Sequence, residues 1–257
     1  MEQRLLGQRF LGRGELEQLM IKGGRLSAGA RGYIAAVSLA SVLASIIFWQ
    51  AKGAAISLVS VLLVIGLGML AHAYPIQGFR HQAYQVTLPF IVLAAALFST
   101  PGLVAFIALI HVAEQARLRR RLHVQWFNAC AYLLSAMIAA ASYHRAGALM
   151  TDGPLGQVAA ALAAACTFIL LNHASLAGVL WLARGLSPAA SGLFEPELLA
   201  ADLLVAWMAG PMLVLALVAG PWMILVTAGP LLLARPALAG LLARYRAPAP
   251  QAREKAA

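Results

Sequence analysis

Glu114-Gln115-Ala116-Arg117-Leu118-Arg119-Arg120-Arg121-Leu122-His123-Val124-Gln125-Trp126-Phe127-Asn128 decides how this chain folds. Four arginines, Arg117, Arg119, Arg120 and Arg121, fall within five residues, and a long apolar run lies on either side. Arginine is costly in a bilayer interior, and Lys and Arg are enriched in cytoplasmic loops. The stretch therefore reads as a cytoplasmic loop at the middle of a membrane protein, from which the other spans are counted outward. Trp126 suits the headgroup boundary, where an indole keeps its ring apolar and its N–H wet.

Composition agrees. Of 257 residues, 62% are hydrophobic and 11% charged, against roughly a quarter charged in a soluble domain. Mean hydropathy is +0.82. The net charge of +10 sits between apolar runs rather than in a basic domain, so no nucleic-acid partner is expected. Cys130 and Cys166 fall inside apolar spans and read as small buried hydrophobes. The first 32 residues lack an early apolar core, so no cleavable signal peptide is expected. They carry Leu5, Leu6, Phe10, Leu16 and Leu19 at loosely helical spacing among basic residues, a pattern suited to an amphipathic helix on a membrane surface and equally to a helix that docks on a partner.

Outward from the loop, eight apolar spans are expected: about Tyr33–Phe48, Ala54–Ala73, Tyr84–Phe98, Leu103–Val112 running on toward Glu114, Trp126–Ser142, Gln157–Leu182, Leu198–Val218 and Trp222–Leu233. A full crossing takes about 20 residues, so the first, third and fourth are short. The sixth is long, about 40 Å at 1.5 Å per residue, and reads as one helix rather than two split at Asn172. Ser99-Thr100-Pro101-Gly102 marks a tight turn. Gly210-Pro211 and Gly229-Pro230 predict kinks. With this count, Lys52 and Arg145 are the only two of 19 Lys and Arg on the outer side, the bias that orients membrane proteins. The expected fold is all-α: a polytopic transmembrane bundle over 33–235 in the cell inner membrane, with an amphipathic segment (1–32), a basic tail (236–257) and both termini cytoplasmic.

Polar groups at membrane depth are functional candidates by default. His111 and Glu114 share a helical face three residues apart, Asn128 lies just across the loop, Asn172 and His173 sit in the sixth span, and Asp202 opens the seventh. All fall on the cytoplasmic side of the expected topology. The five candidate ligand-binding residues are His111, Glu114, Asn128, Asn172 and Asp202, with Glu114 alternatively pairing with Arg117 or another loop arginine. His111, Glu114 and His173 could supply three metal donors, but no ligand spacing such as His-Glu-x-x-His is present, so neither metal nor cofactor is expected. His72, His81, His123 and His144 read as solvated residues in loops or near interfaces. No nucleophile elbow, Cys-x-x-Cys or phosphate-cradling loop occurs, which argues against an enzyme.

Pro101-Gly102-Leu103-Val104-Ala105, Glu114 with its arginines, Trp126-Phe127-Asn128-Ala129, Phe168-Ile169-Leu170-Leu171-Asn172 and Leu182-Ala183-Arg184-Gly185 together resemble a family of bacterial membrane regions. These are the membrane-associated sensor-like regions that precede HD-GYP phosphodiesterase or GGDEF diguanylate cyclase domains. The resemblance spans about residues 30–245 and implies a helical input region that senses a ligand. The length up to Ala257 leaves no room for an output domain. The expectation is thus a stand-alone, non-enzymatic sensor signalling to a cytoplasmic or membrane partner, embedded in the lipid bilayer and taking a small-molecule ligand. Its oligomeric state stays open. A small-molecule or ion transporter, or its substrate-binding membrane subunit, is the alternative, favoured by the expected kinks.

Overall fold

A computed structural model describes residues 26–77, 83–84, 86–150 and 153–233. The tail expected at 236–257, most of the amphipathic segment and His81 lie outside the described residues. Among the described residues the order is α1 (Ala28–Ile47), α2 (Leu58–Ala73), β1 (Ile76–Gln77), β2 (Ala83–Tyr84), α3 (Leu88–Leu97), α4 (Thr100–Leu118), α5 (Leu122–Leu149), α6 (Pro154–Arg184), α7 (Pro196–Trp207), α8 (Ala209–Ala219) and α9 (Trp222–Leu233). Apart from a two-residue antiparallel ladder pairing Ile76 with Tyr84 and Gln77 with Ala83, the fold is all-α. Among the described residues five segments, namely α1, α4, α5, α6 and Pro196–Ala219 (α7 with α8), are long and apolar enough to cross a membrane. The chain has the make-up of a membrane protein.

Helix ends differ from the sequence reading for local reasons. Helix α1 starts five residues early, inside the expected surface segment, because Ser27 caps it. The Ser27 hydroxyl accepts the Ala30 N–H at 3.0 Å and donates to the Leu182 carbonyl at 2.7 Å. Helix α4 runs past Glu114 to Leu118 and ends at Arg119, whose φ of 47° is left-handed. Helix α5 continues through His144 and Arg145 to Leu149. The sixth span is one uninterrupted helix of 31 residues, closed by Gly185 at φ 69°, the usual glycine stop. The seventh span is broken, at Met208 rather than at Gly210-Pro211. Pro211 has no N–H for the carbonyl four residues back and its ring crowds that carbonyl; the residue four back is Trp207, where α7 ends. Helix α9, in contrast, runs on through Pro230.

Helix α3 is the core. All ten of its residues are buried, and it packs against α2, α4, α5, α6, α7 and α8. At about 1.5 Å per residue it extends only about 15 Å. Around it the outer helices turn apolar side chains outward: Leu39, Ile46, Leu58, Leu62, Leu204, Val218 and Val226 are all exposed, as a lipid-facing surface requires.

Ties at the helix ends set the direction of each helix. Ala54 N–H donates to Leu97 O at 2.9 Å, and the Thr100 hydroxyl donates to Phe48 O at 2.6 Å. The start of α4 thus lies beside the turn that leads into α2. At the opposite end the Arg117 guanidinium donates to Ala73 O and lies 3.8 Å over the Tyr74 ring. Helices α2 and α4 are therefore parallel, with α3 running back between them. Their approach is close because Gly68 has no side chain: a Cβ there would sit 2.7 Å from the Phe106 ring. This contact lies one turn before His72 and brings it level with His111.

Candidate functional site

The end of the bundle where α2 and α4 finish, α5 begins and α6 finishes carries a cavity of about 190 Å³. His72, His111, Glu114, Arg120, Asn128, Tyr132, Asn172, His173 and Asp202 line it, closed by Leu176, Leu193 and Leu198. Drug-sized ligands occupy roughly 300–1,000 Å³, so this space takes an ion or a molecule of few atoms.

Glu114 is at its centre and only 5% exposed. Its Oε1 receives Arg120 Nη2 at 3.0 Å, and its Oε2 receives the Gln125 amide at 3.1 Å. That same Oε2 stands 3.4 Å from His72 Nε2 and 3.6 Å from His111 Nδ1. The loop after α4 makes this possible: the Gln115 amide donates to Arg120 O at 2.8 Å, and left-handed Arg119 turns the chain back so that Arg120 reaches inward. The arginine partner of Glu114 is thus Arg120 and not Arg117, which caps α2 instead. The Gln125 amide also donates to His111 O at 2.9 Å and lies 3.1 Å from His111 Nδ1. His72 Nδ1 meets the Thr87 hydroxyl at 3.3 Å, at the start of α3. The His72 and His111 rings meet edge to face at 4.7 Å, and Tyr132 stacks edge-on against both, at 5.4 and 4.9 Å.

On the far wall His173 Nε2 contacts Asp202 Oδ2 at 3.0 Å, both side chains buried. Asn172 Oδ1 is buried with no hydrogen-bond partner among the described residues. Lipid-phase burial of an unpaired polar atom costs several kcal/mol, so this oxygen is a natural contact for a guest.

All five residues named from sequence, His111, Glu114, Asn128, Asn172 and Asp202, line this one cavity, Asn128 half-buried and the others buried. Two readings are corrected. His72, expected to be solvated, is 5% exposed and belongs to the cluster, whereas His123 and His144 are exposed as expected. The third donor beside His111 and Glu114 is therefore His72: one ligand atom from each of these three lies within 4.8 Å of the others, while His173 is engaged by Asp202. Sequence reasoning also missed Gln125, Tyr132 and Arg120. Gln125, Asn128 and Tyr132 recur at i, i+3 and i+7, one helical face, and that was the available signal.

No protein-family model, curated protein or solved structure matches this chain.

Proposed function

We propose that this chain is a non-enzymatic sensor or input module of a bacterial inner membrane, and that a small polar ligand in the cavity is passed on as a change in the Arg119–Arg121 loop. The observation that carries this is the reach of Arg120 from that loop onto Glu114 at 3.0 Å. A guest that engages Glu114 changes its hold on Arg120, and the Arg120 carbonyl in turn accepts the Gln115 side-chain amide. Occupancy of a buried site is thereby coupled to a surface segment, where a signalling partner reads it. Such coupling needs a guest that contacts the two loop states differently, which the Arg120–Glu114 pair provides.

The test uses full-length protein in proteoliposomes, labelled at Leu122→Cys in a Cys166→Ala background and screened against small polar solutes and ions for thermal stabilisation. The stabilising solute is expected to change the dye signal and to show no saturable uptake. Saturable uptake that Asn172→Leu abolishes would instead make the chain a transporter. One observation favours that second reading: the seventh expected span is broken at Met208, within two turns of Asp202, and broken helices build transport sites at membrane depth.

We further propose eight antiparallel passes with both termini cytoplasmic, α2, α3 and α9 being short passes and the turns at 51–54 and 97–100 packing together at the outer end. Reporter fusions at both termini and at 119–121 are expected to report one compartment, and fusions at 51–53 and 153 the other. Termini in opposite compartments would require an odd number of crossings.

A further inference from the structure

We infer that His72, His111 and Glu114 form a binding site for one divalent transition-metal ion. This names the ligand class for the cavity just described and rests on that reading of it.

The distances distinguish a metal site from an ordinary charge cluster. A charge-assisted N–H···O bond is about 2.7–2.9 Å. Glu114 Oε2 stands 3.4 Å from His72 Nε2 and 3.6 Å from His111 Nδ1, too long for such bonds. Two donors each about 2.0–2.1 Å from one tetrahedral ion lie about 3.3–3.4 Å apart. The carboxylate oxygen is thus spaced from both rings as a co-ligand is.

The surroundings orient each donor. Thr87 meets His72 at Nδ1; with that nitrogen protonated, Nε2 keeps its lone pair for an ion. An outer partner of this kind fixes the tautomer of a metal-bound histidine. His72 Nε2 has no hydrogen-bond partner among the described residues. Arg120 holds Glu114 by Oε1, leaving Oε2 to face the rings. The cavity sets two carboxylates, Glu114 and Asp202, against the one guanidinium of Arg120, which favours a cation.

Gln125 completes the argument. Its amide nitrogen, with two hydrogens, faces three acceptors, His111 Nδ1, His111 O and Glu114 Oε2. Its Oε1 is buried without a hydrogen-bond partner among the described residues. Reversed, the amide would set its oxygen against the carboxylate, a contact that a cation between them converts from repulsion to attraction. An arriving ion therefore displaces the amide hydrogens, and Gln125 Oε1 becomes the fourth donor. Two imidazoles with oxygen donors select a borderline ion such as Zn²⁺, Co²⁺ or Fe²⁺ over Ca²⁺ or Mg²⁺, which prefer all-oxygen shells.

The experiment takes full-length protein in detergent, stripped with chelator and then dialysed against Zn²⁺ or Co²⁺. Metal per chain, the Co²⁺ visible spectrum and the melting temperature are recorded. Wild type is expected to retain one ion per chain, to show Co²⁺ bands of low symmetry and to melt higher with Zn²⁺ but not with Mg²⁺. His72→Gln and His111→Gln should lose the bound ion, and His123→Ala with His144→Ala should keep it. Thr87→Val, which leaves every donor in place, should weaken Zn²⁺ binding about 10–100-fold. Wild type retaining no more ion than His72→Gln would overturn the inference, as would Co²⁺ bands that survive in His111→Gln. The dye at Leu122→Cys separates the two proposals. Bound Zn²⁺ with an unmoved dye sinks the sensor reading alone, and a different solute that moves the dye without metal uptake sinks the metal site alone.

Discussion

Glu114→Leu is expected to cost about 3 kcal/mol of stability in detergent, the low end of the ~3–5 kcal/mol for breaking a buried pair. The low end applies because Arg120 is 31% exposed and turns partly outward once unpaired. The loss arises from what stays behind rather than from the contact removed. Without the carboxylate, the Arg120 guanidinium and the Gln125 amide each lose an acceptor in a site closed by Leu176, Leu193 and Leu198. Glu114→Gln retains two acceptor lone pairs and should lose less than half as much. The double variant Glu114→Leu with Arg120→Leu should recover part of the single loss, because it removes the unpaired charge as well. Thermal melts of the four proteins check this. A single-variant loss below about 1 kcal/mol, the level of an exposed ion pair, would show that the cluster stands open to water.

Phe90→Ala should cost about 2–3 kcal/mol, while Leu204→Ala should leave stability within about 0.5 kcal/mol. In water, Phe→Ala in a core costs about 3–5 kcal/mol, made up of lost transfer energy and an unfilled cavity. In a bilayer the transfer part largely vanishes, since the unfolded reference remains among apolar tails; the cavity part remains. Phe90 is 0% exposed and Leu204 is 73% exposed, so only Phe90 leaves a void. Equal effects in unfolding titrations of the two variants would contradict the central place of α3.

These two residues also mark what could and could not be read from the chain. Apolar runs announce helices, so each of the eight expected runs holds one, the seventh in two pieces. An all-round apolar helix carries no stripe to say which face is buried, so nothing distinguished α3, enclosed by protein, from α9, whose Trp222 and Val226 are exposed. Helix ends were missed where polar side chains sit on a helix that continues, as at Gln115 and Arg117 in α4 and at His144 in α5. Within the site, His111 and Glu114 were legible because three residues on one helix fix their proximity. His72 was not: its place depends on α2 approaching α4 at Gly68, a contact between segments far apart in sequence. Arg120 was hidden among four arginines, and only left-handed Arg119 selects it.

The shortness of α3 bears on how the chain enters a membrane. Ten apolar residues fall well below the about 17 needed for a crossing, so a translocating channel has little reason to release this segment sideways into lipid on its own account. Its Ser99-Thr100-Pro101-Gly102 turn ties it to α4, which at 19 residues is long enough to partition. Helix α3 would then be drawn in during synthesis as the passenger of its successor. In that order of events the contact of Thr87 with His72 would form only after α4 has been made.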